Sequence, residues 1–376
     1  MTKTEIMTRI FQCLIASLFV LSLLGSCKKD DGGAPARVRK NVKNLTAQEK
    51  ADLVGAIKLL KTKPSPYESG INYYDQFVKW HYLAFFCGPN SPMIPGHQNP
   101  AFLPWHRCYL SLFEKALSDV SGKTINLPYW DWTDAGSTAA LFADDLMGGS
   151  GDPTQDYKVM SGPFRAGEWV INITDDNDID SIFLDVNTQP HLSPHLHRAM
   201  GIYQGGTTPV LPSLAEVNNT LSITTYDSAP WDPSVDTAIS FRNSLEGWRG
   251  CAGNTCENDV MDVVPIPGQR RSTLHNIVHV YVGGIFQVNG VTVAGNMAQS
   301  TSPNDPVFWI HHANIDRLWS AWMRRHGAVY TPVSGGPMHS NLNDVMPPFQ
   351  FRTDGKNTPA SMLNEYMLGY VYEQLP

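Results

Sequence analysis

His275 and His279 stand four residues apart in Leu274-His275-Asn276-Ile277-Val278-His279. On a helix that spacing projects both imidazoles from one face, one turn apart. One of the adjacent pair His311 and His312, on the next helical run, completes a three-imidazole face. Upstream, His106 lies in Phe102-Leu103-Pro104-Trp105-His106-Arg107, with His97 nine residues before it and His81 sixteen before that. An all-imidazole environment repeated twice suits a pair of redox metals better than magnesium or calcium, which take oxygen ligands, or a thiolate zinc site. The constraint on the fold is strict, because several helices must turn their histidines towards one interior region.

The helical pattern supplies such elements. Residues 46–61 read as a helix with Thr46 as cap, Glu49 at the third position, and a stripe of Leu53, Ile57 and Leu60. Residues 71–86 form an aromatic-rich helix carrying His81. Pro104 fits the first turn of a helix to about residue 120, which puts His106 near its start. A further helix covers 272–282, its end blurred by Val278, Val280 and Val282, and Asp305-Pro306 caps a last one to about residue 325. Residues 127–240 are dense in Gly, Pro, Asp and Thr and read as irregular walls, while the Pro-rich tail 342–372 packs back on the domain. No fixed-period repeat points to a solenoid or propeller. The expected fold is mainly α: a central four-helix bundle holding a dinuclear metal site, wrapped by long irregular loops and short strands.

Residues 1–26 read as a processing signal, with Lys3 and Arg9 before an apolar run over 10–24 that is short for a membrane span. The run ends in Leu24-Gly25-Ser26-Cys27, which resembles a bacterial lipobox; Cys27 would then be lipidated and become the first mature residue. Residues 27–45, charged and without apolar period, read as a flexible tether, leaving 46–376 as the folded domain. The domain is thus expected to be exported and anchored at a bacterial membrane, the outer one by preference, outside the cytoplasm. A net charge of −7 excludes nucleic acid as a partner, since phosphate binding needs clustered Lys and Arg. Ten tryptophans fit a rigid aromatic interior around a buried site. Cys251 and Cys256 close a short loop and could pair, whereas Cys87 and Cys108 read as buried thiols rather than ligands. His191, His195 and His197 form a rival cluster around Pro194, in the irregular segment and without a partner triplet; His326 and His339 read as surface residues.

The runs around the histidines resemble the two copper motifs of the tyrosinase family. Phe102 to Arg107 with His97 and His81 looks like the first; Leu274 to Gly284 and Ser302 to Trp319, with Asn314-Ile315-Asp316-Arg317-Leu318-Trp319, look like the second. Phe241-Arg242-Asn243-Ser244-Leu245-Glu246-Gly247-Trp248 and Thr225-Tyr226-Asp227-Ser228-Ala229-Pro230-Trp231 extend the likeness over about residues 75–372, and it is to the compact bacterial members. The resemblance implies two copper ions, one on His81, His97 and His106, the other on His275, His279 and His312. It implies that Glu246 with Asn276 orients a water that deprotonates phenols, and that Phe308 stands over the first copper and gates the substrate. Asp316, one turn beyond His312, is either an acceptor for an imidazole or a salt-bridge partner of Arg317 or Arg324. Two departures are visible: Pro95 stands where fungal and plant members carry a cross-linking Cys, and an insertion with Cys251, Cys256 and Gln269-Arg270-Arg271 separates Glu246 from His275.

The activity this implies is oxidation of phenolic small molecules by dioxygen: ortho-hydroxylation of monophenols and oxidation of o-diphenols to o-quinones, with a copper-delivery protein as a further partner. Alternatives are a catechol or o-aminophenol oxidase without monophenolase activity, a haemocyanin-like oxygen binder, a copper store, and a zinc hydrolase. The last fits poorly, because catalytic zinc is usually held with a carboxylate nearby.

Overall fold

The computed structural model describes residues 37–85, 96–174, 192–204, 206, 208–247 and 273–376. The segment read as signal and lipidation site, the loop containing Cys87 and Pro95, His191, and the Cys251–Cys256 insertion lie outside these residues.

The described chain is mainly helical with few strands. Helix α1 (Ala47–Leu60) starts at a capping box, the Thr46 hydroxyl accepting from the Glu49 amide while the Glu49 carboxylate accepts from the Thr46 amide. Helix α2 (Tyr73–Phe85) carries His81, and α3 (Phe102–Ser121) has Pro104 in its first turn and ends at the left-handed Gly122. Short helices α4 (Ala135–Leu141), α5 (Leu214–Leu221) and α6 (Phe241–Glu246) punctuate the irregular wall. Helix α7 (Leu274–Gly283) carries His275 and His279, and α8 (Val307–His326) carries His312. The Asp305 carboxylate accepts from the Val307 amide at 3.0 Å and is clamped by Arg198 at 2.6 and 2.7 Å, so the start of α8 is fixed by a buried ion pair. Helix α3 packs on α1 and α8, and α7 packs on α6 and α8. Six tryptophans, among them Trp105 and Trp309, are completely buried around these helices, as the sequence led us to expect.

Strand β1 (Arg37–Arg39) pairs in parallel with β4 (Tyr370–Tyr372), and β2 (Ile285–Val288) forms a hairpin with β3 (Val291–Ala294). The first pairing corrects the tether boundary. Residues 37–45 belong to the folded body, with Val42 fully buried in a 3₁₀ turn (Val42–Asn44). The physical reason is Arg39, which is buried because Glu114 and Asp316 neutralise it at 3.2 and 3.1 Å. A charged segment looks solvated from its sequence until its partners, distant along the chain, are known.

Candidate metal centre

Both histidine sets converge. The ligand nitrogens of His81, His97 and His106 all lie within 4.8 Å of one another, and so do those of a second group. That second group contains His311 as well as His275, His279 and His312, a fourth imidazole beyond the sequence-read triplet. The sequence signal was the His311-His312 doublet itself. His311 lies parallel to His275 with ring centroids 5.4 Å apart and packs on Trp132 at 5.2 Å. The two sets face each other: His106 stacks on His312 at 4.4 Å, and His97 lies 6.3 Å from His275.

Backbone carbonyls fix most of the rings. Nδ1 of His81 donates to Ser300 O at 2.7 Å, His97 to Ala84 O at 3.2 Å, and His106 to Phe102 O at 2.9 Å. In the second set His275 donates to Glu246 O at 3.1 Å and His279 to Met297 O at 2.7 Å. A carbonyl oxygen only accepts, so each Nδ1 carries the proton and each Nε2 presents its lone pair. Among the six ligands read from the sequence His312 is the exception: its Nδ1 is buried without a hydrogen-bond partner, and both His106 and Phe308 stack on its ring.

A metal fits this donor set. His279 Nε2 lies 3.0 Å from His275 Nε2 and 3.3 Å from His312 Nε2. Facing lone pairs repel at that range unless a cation lies between them, and four-coordinate imidazole sites with bonds of about 2.0 Å place their nitrogens roughly 3.3 Å apart. His106 Nε2 is likewise buried with no hydrogen-bond partner. Burial keeps all six imidazoles neutral, pushing His81 down to about 3 and His279 to about 4, with the other four well below the usual histidine range. Neutral rings are the metal-binding form. Neither group contains a carboxylate or thiolate, which fits copper and argues against a hydrolytic zinc site.

The family model "Common central domain of tyrosinase" matches residues 71–325, the span that holds every one of these histidines. The chain belongs to the tyrosinase family. It is 39% identical over 331 residues to a tyrosinase of Streptomyces glaucescens, covering 87% of this chain and 96% of that one. It is also 36% identical over 351 residues to the grixazone synthase of Streptomyces griseus, covering 90% and 99%. A solved polyphenol oxidase from Thermothelomyces thermophila shares the fold at TM-score 0.56 and 20% identity, covering 98% of this chain and 95% of that one. The tyrosinase family is one of dicopper oxidoreductases, and two copper ions are the cofactor the two histidine groups accommodate.

The insertion does not carry Glu246 away from His275 in this tyrosinase-family chain. Gly247, at φ +92°, ends α6 so close to the start of α7 that a Cβ there would lie 1.9 Å from Thr273 O. That approach brings Glu246 O to His275 Nδ1, although residues 248–272 intervene. The buried Glu246 carboxylate accepts from Gln98 N at 2.6 Å and from Arg242 at 3.1 Å. Asn276 Oδ1 accepts from His275 Nδ1 at 2.8 Å, while its buried Nδ2 has no hydrogen-bond partner. Phe308 touches both sets, stacking on His312 at 4.0 Å and meeting His81 edge-on at 4.8 Å.

Asp316 requires a correction. It binds neither an imidazole nor Arg317 or Arg324; its partners are Arg107, Arg39, Tyr370 and Tyr372. Its place one turn after His312 is taken up by tying α8 to α3 and to the terminal strands. The rival cluster is structural in its described part: His197 is held by Asp156 O at 2.7 Å and Ser193 Oγ at 2.9 Å, and neither it nor His195 belongs to a metal group among the described residues. Cys108 is a buried thiol, as expected, and burial pushes it up to about 12.

Proposed function

We propose that this chain is a copper-dependent phenol oxidase that ortho-hydroxylates monophenols and oxidises o-diphenols to o-quinones with dioxygen. The observation that carries the reading is the pair of facing histidine sets whose rings are fixed, lone pairs inward, by backbone carbonyls. His81, His97 and His106 would hold one copper, and His275, His279 and His312 the other, on four helices and a loop that together act as the supporting bundle. When bound, the copper pair supplies the redox chemistry by which dioxygen oxidises a phenol. The chain's own residues do the rest. Five Nδ1–H···O=C bonds hold the rings against reorientation. The ring of Phe308 covers both sets and keeps water off them. Asn276 Nδ2, a buried donor with no protein acceptor, and the Glu246 carboxylate would hold a water between them, and that water would pass the phenol's proton to the carboxylate.

A second reading is catechol or o-aminophenol oxidation without hydroxylation. It is favoured by Glu246, two of whose lone pairs are already committed to Gln98 N and Arg242. One experiment separates them: load the full chain with copper, count metal per chain, and assay tyrosine and a catechol side by side. Two coppers and quinone from both substrates are expected. One copper per chain would overturn the dinuclear reading. Catechol turnover with none of tyrosine, unchanged in Glu246→Gln, would leave the second.

Export and lipid attachment at Cys27, with copper delivered outside the cytoplasm by a partner, complete the proposal. The run Leu24-Gly25-Ser26-Cys27 supports it, and residues 28–36 would then be the spacer to β1. Among the described residues no helix is long and apolar enough to cross a membrane. A Cys27→Ser chain that fractionates with membranes as firmly as the wild type would sink the anchor.

A further inference from the structure

Glu246 touches the second histidine set directly and the first through the neighbour of His97, each through a different atom. Its main-chain carbonyl accepts from His275 Nδ1 at 3.1 Å. Its carboxylate accepts at 2.6 Å from the amide of Gln98, the residue directly after His97. Gln98 adopts φ +58°, a left-handed conformation that a residue with a Cβ takes only when its surroundings enforce it. The enforcing contact is a charged, fully buried carboxylate, itself anchored by Arg242 at 3.1 Å, which Asp227 holds in turn at 2.9 Å. On the other side of Gln98, the Asn99 side chain donates to His97 O and its own carbonyl oxygen accepts from Ala101 N at 2.8 Å. The peptide leaving His97 is therefore fixed from both ends, and the carboxylate is the charged end.

We propose that Glu246 is a positioning residue for the first copper, acting through the Gln98 turn, while its main-chain carbonyl serves the second. This rests on the reading that both histidine sets hold copper. It is separate from any service of Glu246 as a proton acceptor, because it concerns metal retention in the absence of substrate. It makes a selective claim: removing the carboxylate leaves the carbonyl in place, so only the first set should loosen. Partners that orient a ligand typically contribute about 10- to 100-fold in metal affinity.

The test follows copper per chain after a timed chelator challenge of the copper-loaded full chain. Wild type should keep two coppers. Glu246→Gln, which retains an oxygen for the Gln98 amide, should keep close to two. Glu246→Leu should fall to about one, with a copper affinity at the weaker site roughly 10- to 100-fold lower. Adding His97→Ala to Glu246→Leu should cost little more, whereas adding His279→Ala should bring the chain near zero. Gln98→Gly in the Glu246→Leu background should restore retention, since glycine adopts the turn without enforcement. Arg242 keeps Asp227 as its counter-ion in Glu246→Leu, and a general structural defect would not respond to Gln98→Gly. Should Glu246→Leu be unstable, Glu246→Met, nearer in length and with no oxygen to accept from Gln98 N, is read in the same way and leaves the Arg242–Asp227 pair intact. Two coppers retained by Glu246→Leu, equal loss from both sets, or no rescue by Gln98→Gly overturns this proposal alone. A wild-type chain that binds no copper overturns the dicopper reading and this with it.

Discussion

Arg107 Nε donates to Asp316 Oδ1 at 2.5 Å, joining the residue after His106 on α3 to the residue one turn beyond His312 on α8. The two helices that bring the histidine sets face to face are thus locked by a fully buried ion pair just behind the metal centre. The other Asp316 oxygen accepts from Arg39 at 3.1 Å, Tyr370 at 2.6 Å and Tyr372 at 2.5 Å, so the first and last strands close on the same carboxylate. Burial alone would raise the carboxyl; Arg107 and Arg39 outweigh it and hold it below its ordinary value.

Asp316→Asn keeps the shape and removes the charge. Arg107 is then left buried without a counter-ion, while Arg39 still has Glu114. Breaking a buried pair from one side costs about 3–5 kcal/mol. Urea unfolding of the metal-free chain should show a loss of that order. A change under about 1 kcal/mol would mean the pair is no more than a surface-like bridge.

Gly247→Ala tests the close approach that puts Glu246 beside His275. The new Cβ would meet Thr273 O at 1.9 Å in a backbone already at φ +92°, so α6 must retreat from α7 and the Glu246 carbonyl with it. We expect a stability loss of about 1–3 kcal/mol and weaker copper retention at His275 and His279. Gly122→Ala is the control: its φ is +66° but nothing lies within 4 Å of its Cβ, so it should cost about 1 kcal/mol and leave copper retention unchanged. Equal copper retention in both variants would remove the role assigned to Gly247.

The contrast between these sites shows what a sequence discloses. Helix α1 was legible because its signals are local: a cap, a Glu three residues on, and a stripe of period 3.6. The pair His275 and His279 was legible for the same reason. Asp316 was not, because its partners Arg107 and Arg39 are 209 and 277 residues away in sequence, while its near neighbours Arg317 and Arg324 offered a local alternative. Residues 37–45, a tether by composition, join the fold through equally distant partners. The place of Glu246 depended on a glycine contact across an insertion, which no spacing rule covers. The β2–β3 hairpin, by contrast, carries a local signal, since Asn289-Gly290, both at positive φ, mark its turn.

Phe308 should matter most to His312, whose Nδ1 lacks the carbonyl bond that fixes His81, His97, His106, His275 and His279. Stacking at 4.0 Å is what restrains that imidazole from one side. Phe308→Ala opens a cavity costing about 3–5 kcal/mol and frees the ring, while Phe308→Leu fills most of the volume without a flat face. Chelator removal of copper from the second set should be fastest in Phe308→Ala, intermediate in Phe308→Leu and slowest in wild type. Identical rates in all three would show that His106 stacking alone holds His312.

Acid should unfold the metal-free chain through its histidines before its carboxylates. Burial lowers His279 to about 4 and His81 to about 3, and takes His97, His106, His275, His311 and His312 well below their ordinary value. In the unfolded chain each returns to about 6.5. Between those values the unfolded state binds protons that the folded state does not, so stability is full above about pH 6.5 and declines as pH falls below it. Each histidine contributes a slope approaching 1.4 kcal/mol per pH unit. Urea midpoints of the metal-free chain should therefore drop steeply between about pH 6.5 and 5.5, a window in which free carboxylates, at about 4, hardly titrate. Copper bound to the neutral rings competes with the protons, so the loaded chain should hold its midpoint to lower pH. Parallel declines with and without copper would show that the buried imidazoles do not control acid stability.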